Sequence, residues 1–238
     1  MNAAELYQEG RLDEAIEALG AALREDPADT RRRTFLFELL CFAGNYDRAE
    51  KQLDMLAREG KEAELGALLY RGAIHAERLR QRMFEPGGMP PATGPAPLLS
   101  GTLNGTPFTA LEDADPRIGA RLELFAAGQY TWLPLAHVES VKIEPPKRLR
   151  DLLWTPVVVR VTARAERVEM GEVLMPVLTP SAWKHRDPLV RLGRLTEVED
   201  LEDGRTVPVG QKLFLMDGEE VPLLEVRELV IDQGAEAA

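Results

Sequence analysis

The chain has 238 residues, 45% hydrophobic and 29% charged, with a formal net charge of −11, the balance of a soluble globular protein with room for one large or two small domains. The acidic surplus argues against a nucleic-acid surface, which needs a basic excess to meet phosphate. Cys41 is the single cysteine, so no intrachain disulfide forms and a reducing compartment is expected.

The opening residues, MNAAELYQEGRLDEAIEALG, are acidic and periodic. They lack the basic-then-apolar order of a signal peptide. No run reaches the ~18 apolar residues of a membrane span. Both observations place the chain in the cytoplasm, with no membrane partner expected. Within residues 10–27, Gly10 suits the left-handed end of one helix and Asp13 can cap the next. Ala15, Ile16, Leu19, Ala22 and Leu23 then form one apolar face, and Pro27 stops the pattern. The same punctuation returns in GNYDRAEKQLDML, where Gly44, Tyr46, Asp47, Ala49 and Leu53 repeat Gly10, Leu12, Asp13, Ala15 and Leu19. The offset is one tetratricopeptide period, about 34 residues. Each helix pair of such a repeat leaves a face uncovered, so neighbours stack and about three units are usual.

Residues 64–84 predict one long helix as a degenerate third unit. Leu65, Leu68, Leu69, Gly72, Ala76, Leu79 and Met83 make one stripe, and Tyr70 and Ile74 lie opposite. A helix apolar on two sides is covered on both: one side by the repeats, the other by a second domain or a partner. Then EPGGMPPATGPAP (85–97) loses all periodicity and reads as a linker. The expected organisation is a helical repeat domain over 1–84, a linker over 85–100 and a second domain over 101–238.

Beyond the linker the period alternates. Residues 120–135 read as a hairpin, and 137–144, 155–164 and 171–178 as strands. Asp217-Gly218 marks a tight turn between two apolar runs of 211–231, and Asp203-Gly204 marks another. The fold class expected is α+β: an N-terminal tetratricopeptide-like α-α superhelix followed by a small, mostly antiparallel β-rich domain. The corner VKIEPPKRLRDLLW (141–154) ends a strand at two prolines. Pro146 is placed to begin a helical turn, Leu149, Leu152 and Leu153 pin it to the sheet, Lys147 pairs with Asp151 at i, i+4, and Arg150 faces away.

Signals for chemistry are sparse. His75, His137 and His185 show no metal-ligand spacing, and one cysteine cannot begin a thiolate zinc site. There is no G-x-S-x-G elbow, Walker loop or G-x-G-x-x-G turn. Cys41, in FLFELLCFAG, reads as a small buried hydrophobe. Asp113 and Asp115 read as an acidic loop rather than an acid–base pair, and 197–204 as a solvated acidic loop. Arg31–Arg33 begin the second repeat's first helix on its inner face, either as a solvated helix start or as a seat for an anion. No catalytic, cofactor-binding or metal-ligating residue is assigned.

The ordered strings EDPADTRRRTFLFELLCFAGNYDRAEKQLDML, DADPRIGARLE, YTWLP, IEPPKRLRDLLW, LGRLTE and DGEEVPLLEVRE resemble the ImpE family, the TagJ or SciE-type accessory proteins of bacterial type VI secretion. The resemblance implies a cytoplasmic accessory protein without catalysis. It implies contact with the N-terminal helix of the small TssB-type sheath subunit and, through it, a link to the ClpV-type unfoldase that recycles the sheath. A stack of helix pairs offers a groove suited to such a helix. The contact residues expected are Arg31, Thr34 and Glu38 on the second repeat's inner helix, Tyr70 and Ile74 on the long helix, and Arg150, Asp151 and Trp154 at the corner. The alternative is an enzyme or small-ligand sensor with a pocket in the β-rich domain around Trp132, Arg150 and Asp151.

Overall fold

Helices open the chain: α1 (Ala3–Gln8), α2 (Leu12–Glu25), α3 (Thr30–Phe42), α4 (Tyr46–Leu56) and α5 (Lys61–Met83), each packed on the next. The computed structural model describes residues 1–85, 99–163, 166–201 and 204–232. The expected linker therefore falls almost wholly outside the described residues, as does Asp203 of the Asp203-Gly204 turn.

Local chemistry sets the helix ends. Asn2 accepts from the amides of Ala4 and Glu5 while Glu5 reaches back to the Asn2 amide, a reciprocal capping box. Asp29 caps α3 through the Arg32 amide at 2.9 Å. The cap expected from Asp13 is not formed. Its residue lies inside the first turn of α2, and Arg191 takes its carboxylate with two bonds, at 3.1 and 2.5 Å. Gly10 (φ 79°) and Gly44 (φ 66°) turn the chain in the left-handed region, as the repeat requires. A Cβ at Gly10 would stand 2.4 Å from Leu189, and one at Gly44 would stand 2.4 Å from Trp183. The turn glycines are thus also the seats on which a later part of the chain lands.

The strands are β1 (Gly101–Leu103), β2 (Thr106–Phe108), β3 (Leu111–Asp113), β4 (Arg121–Ala126), β5 (Gln129–Pro134), β6 (Val138–Ile143), β7 (Trp154–Ala163) and β8 (Glu166–Pro176). A short helix, α6 (Pro188–Arg191), precedes β9 (Glu197–Asp200), β10 (Thr206–Val209), β11 (Leu213–Met216), β12 (Glu219–Pro222) and β13 (Glu228–Ile231). Eight strands make one antiparallel sheet in the order β2-β1-β13-β6-β7-β8-β4-β5, beside a three-stranded sheet, β12-β11-β3, and a two-stranded ribbon, β10-β9. Asp217-Gly218 forms the expected tight turn with φ of 51° and 89°. Asn104-Gly105 (φ 52° and 81°) makes the same turn between β1 and β2, a hairpin not expected from the sequence. Part of the acidic stretch 197–204 is also a strand, β9, with its carboxylates half-buried to exposed.

Two apolar clusters hold the fold. One lies within the sheets, with Phe108, Leu124, Val141, Val159, Phe214 and Leu229 among its members. The other fills the helical stack and continues into Leu153, Trp154, Leu178, Ala182 and Val190. The boundary between helices and strands in the sequence is therefore not a boundary in the packing. Helix α5 packs on α4 on one side and on β4 and β5 on the other. Where it crosses the β4–β5 turn the backbones touch: a Cβ at Gly72 would come within 3.2 Å of the Gly128 Cα.

Candidate functional site

The first helices of the repeat units, α1, α3 and α5, carry the inner face on which a tetratricopeptide stack usually holds its ligand. In this chain the 141–154 corner lies on that face. Its prolines are followed by a single 3-10 turn, Leu149–Leu152, not by a helical turn beginning at Pro146. The Asp151 carboxylate accepts from the amides of Lys147 and Arg148, each at 2.9 Å, which fixes the turn. The expected side-chain pair of Lys147 with Asp151 is absent; the Lys147 ammonium stands 3.6 Å from Glu144 instead.

Arg150 does not face away. It reaches the inner helices, donates to Glu38 at 3.0 Å and stands 5.0 Å from the centre of the Tyr70 ring. Trp154 stacks on the other side of the joint against Tyr70 (6.2 Å, 26° between planes), and Phe37 backs Tyr70 at 5.8 Å. The Trp154 indole N–H donates to Glu77 at 3.2 Å. Burial pushes the Glu38 carboxyl up despite Arg150, and burial likewise raises the Tyr70 phenol.

Most of the residues expected to contact a partner do come together, but around the chain's own two halves. Ile74 is 0% exposed, Trp154 2% and Glu38 6%, and Asp151 is also buried. Tyr70 and Arg150 are half-buried. Arg31 is exposed, and the Thr34 hydroxyl donates to the Thr30 carbonyl at 2.9 Å. The inner face is open toward α1. There Tyr7, Phe35, Leu149 and Leu152 line a hollow of about 480 Å³, with Lys147 and Arg148 at its edge. Arg31 lies one helical turn before Phe35.

Behind the joint lies a buried ionic network that the sequence reading missed. Arg80 of α5 donates twice to Glu123 of β4, at 2.7 and 2.8 Å, and once to Glu77 at 3.2 Å. Lys212 meets both Glu123 and Asp113, and the Tyr130 hydroxyl donates to Glu123 at 2.5 Å. Burial alone would raise Glu123, but Arg80 and Lys212 outweigh it and hold the carboxyl well below its usual range. Asp113 and Asp115, expected in an acidic loop, are buried beside separate cations, Lys212 and Arg117, with Asp113 the last residue of β3. The available signal was a glutamate inside the apolar run Leu122–Phe125, in a strand buried on both faces.

Burial pushes Asp113 up to about 6 against the pull of Lys212. The folded chain then holds that proton more tightly than the unfolded chain. The stability Asp113 contributes is fully present below its unfolded value and is lost as pH rises through about 6. The stability difference between wild type and Asp113→Asn is therefore expected to shift against the wild type between pH 4 and 7, as measured by urea denaturation across that range. A difference that does not change with pH would refute the assignment.

Other chemical groups are dispersed. Trp132 contacts Arg121, Phe84 and Tyr130, whereas Arg150 and Asp151 make their contacts at the inner face. The buried Cys41 thiol is pushed up by burial. Among the described residues no group of three His, Cys, Asp or Glu side chains is arranged to hold a metal ion, and no helix is long and apolar enough to cross a membrane.

Helix pairs of tetratricopeptide type, with their inner face half filled by a corner of an antiparallel sheet, define a repeat protein fused to a β-domain. A tetratricopeptide profile matches residues 6–71, and the ImpE protein profile matches residues 105–230. The chain belongs to the ImpE family. It is 34% identical over 262 residues to the type VI secretion system accessory component TagJ of Pseudomonas aeruginosa, covering 96% of this chain and 90% of that protein. The crystal structure of protein VPA1032 from Vibrio parahaemolyticus has the same fold, with a TM-score of 0.83 over 97% of each chain at 23% identity.

Proposed function

We propose that the chain is a cytoplasmic accessory component of a type VI secretion system that works by binding protein and carries out no reaction of its own. Its partner is the N-terminal helix of a TssB-type sheath subunit, which links it to ClpV-dependent sheath recycling. Family membership and the TagJ relative support the secretion assignment. The observation that carries the binding mode is the open end of the inner face. Tyr7, Phe35, Leu149 and Leu152 form an apolar floor there, edged by Lys147 and Arg148, with Glu38 already paired to Arg150 and Arg31 one helical turn before Phe35, on a chain whose net charge is −11. An apolar floor with a basic edge suits an amphipathic helix carrying carboxylates. Of the residues singled out from the sequence, Arg31 and Thr34 make this contact, while Glu38, Tyr70, Ile74, Arg150, Asp151 and Trp154 hold the face in shape.

The test is capture of a peptide spanning the sheath subunit's N-terminal helix. Wild type is expected to capture it, and Arg31→Glu to weaken capture by about tenfold, roughly 1.4 kcal/mol, without loss of fold. Absence of capture by the folded wild type at both low and moderate salt would overturn the reading.

A further inference from the structure

We propose that Arg194 is a positioning residue for the hollow beside Phe35: it reaches over from the second half of the chain and holds α1 where its side chains form one wall of that hollow. The inference rests on the reading of the hollow as the partner's seat. Ala4, Tyr7 and Gln8 supply the α1 wall, and Leu149 and Leu152 of the corner supply another. Arg194 itself does not line the hollow. It touches α1 at two residues that do. Its guanidinium donates to the Gln8 carbonyl at 2.9 Å and stands 4.4 Å from the centre of the Tyr7 ring. The same ring meets Phe35 edge-on, 5.7 Å away with 85° between planes. Tyr7 is thus held by a contact from each half of the chain.

Helix α1 depends on such contacts. It is six residues long, well short of the ~12–15 at which an isolated helix becomes even marginal, and Leu6 is the residue it buries. Its last turn carries no basic side chain to meet the negative end of the helix. Arg194 brings that charge from outside, to the carbonyl of the last residue, Gln8. The backbone that presents Arg194 is itself fixed. The Arg194 amide donates to the Leu189 carbonyl at 2.9 Å, and the Gly193 carbonyl accepts from the Gln211 side chain at 3.3 Å. Leu189 in turn sits on the Gly10 turn, just beyond α1. An exposed cation over a ring and one charged hydrogen bond are each modest, but they act on an element with little else to hold it. Apparent affinity for the partner falls with the fraction of α1 that leaves its place.

The probe is the labelled peptide spanning the sheath subunit's N-terminal helix, titrated against the full chain by fluorescence anisotropy, with amide hydrogen exchange of α1 followed alongside. Arg194→Ala is expected to weaken binding by about threefold to tenfold and to speed exchange in α1. The urea midpoint is expected to stay unchanged, since the side chain is exposed. Arg194→Lys keeps a cation for the ring and a donor for the carbonyl, and is expected to restore most of both. Tyr7→Leu keeps an apolar wall and removes the ring; in that background Arg194→Ala is expected to weaken binding less than it does in wild type. An equal loss in both backgrounds would give Arg194 a direct contact with the peptide and overturn the positioning role. So would weaker binding by Arg194→Ala with no change of exchange in α1. If wild type binds no peptide, the reading of the hollow falls and this inference with it. If wild type and Arg194→Ala bind equally well, the inference alone falls.

Discussion

Replacing Glu123 with leucine is expected to remove about 3–5 kcal/mol of folding stability, the range for breaking a buried charge cluster from one side. Glu123 is the common acceptor for the buried Arg80 and Lys212 and for the hydroxyl of the half-buried Tyr130. Without it Arg80 keeps Glu77 and Lys212 keeps Asp113 among the described residues. Domains of this kind are stable by roughly 5–15 kcal/mol in total, so the loss is a large share of the whole. Glu123→Gln is expected to cost less, because an amide oxygen still accepts from Arg80. Arg80→Leu combined with Glu123→Leu is expected to cost less than the sum of the two single changes, since the second removes a charge the first has stranded. Urea denaturation with fitted midpoint and slope measures all four proteins. A single Glu123→Leu effect within about 1 kcal/mol of wild type would show that the cluster does not join the two halves.

Trp154→Ala is expected to cost about 3–5 kcal/mol, the range for deleting a large buried aromatic side chain. Trp154 is almost wholly enclosed, stacks on Tyr70 and donates to Glu77. Its removal opens a cavity where the helical stack meets the sheet. Tyr70, on which Phe37 and Arg150 pack, loses its stacking partner there. Trp154→Phe keeps the ring but strands a buried carboxylate oxygen, and is expected to cost about 1–3 kcal/mol. The ordering Ala worse than Phe worse than wild type, read from thermal and urea midpoints, checks the assignment. Equal midpoints for Phe and wild type would show that the Glu77 bond contributes nothing.

The helices were legible because their period and their glycines agree. Ala15 and Leu19 repeat as Ala49 and Leu53, and a left-handed turn glycine is hard to disguise. The longer strands were legible through alternation and the Asp217-Gly218 turn. The β1–β2 hairpin was not, because strands of three residues are too short for alternation to register. The ionic cluster was not legible because its members lie 43 and 89 residues apart, and each charge looks ordinary beside its own neighbours. At the inner face, spacing showed that Glu38, Tyr70 and Ile74 point inward from the repeats. It did not show that Arg150 and Trp154 of the same chain already lie against them. That depends on how the sheet docks, which no local pattern encodes.

The arm that carries Trp183 and Leu189 has a consequence for the lineage. In an open solenoid each unit touches only its neighbours, so units are gained and lost freely. Here Leu189 sits on the turn of the first unit and Trp183 on that of the second, while Arg191 and Arg194 grip α2 and α1. The arm acts as a gauge set to two turns at a fixed separation. Inserting or deleting a helix pair between the two turns would take one seat from under it, so the number of units is tied to the length of the arm.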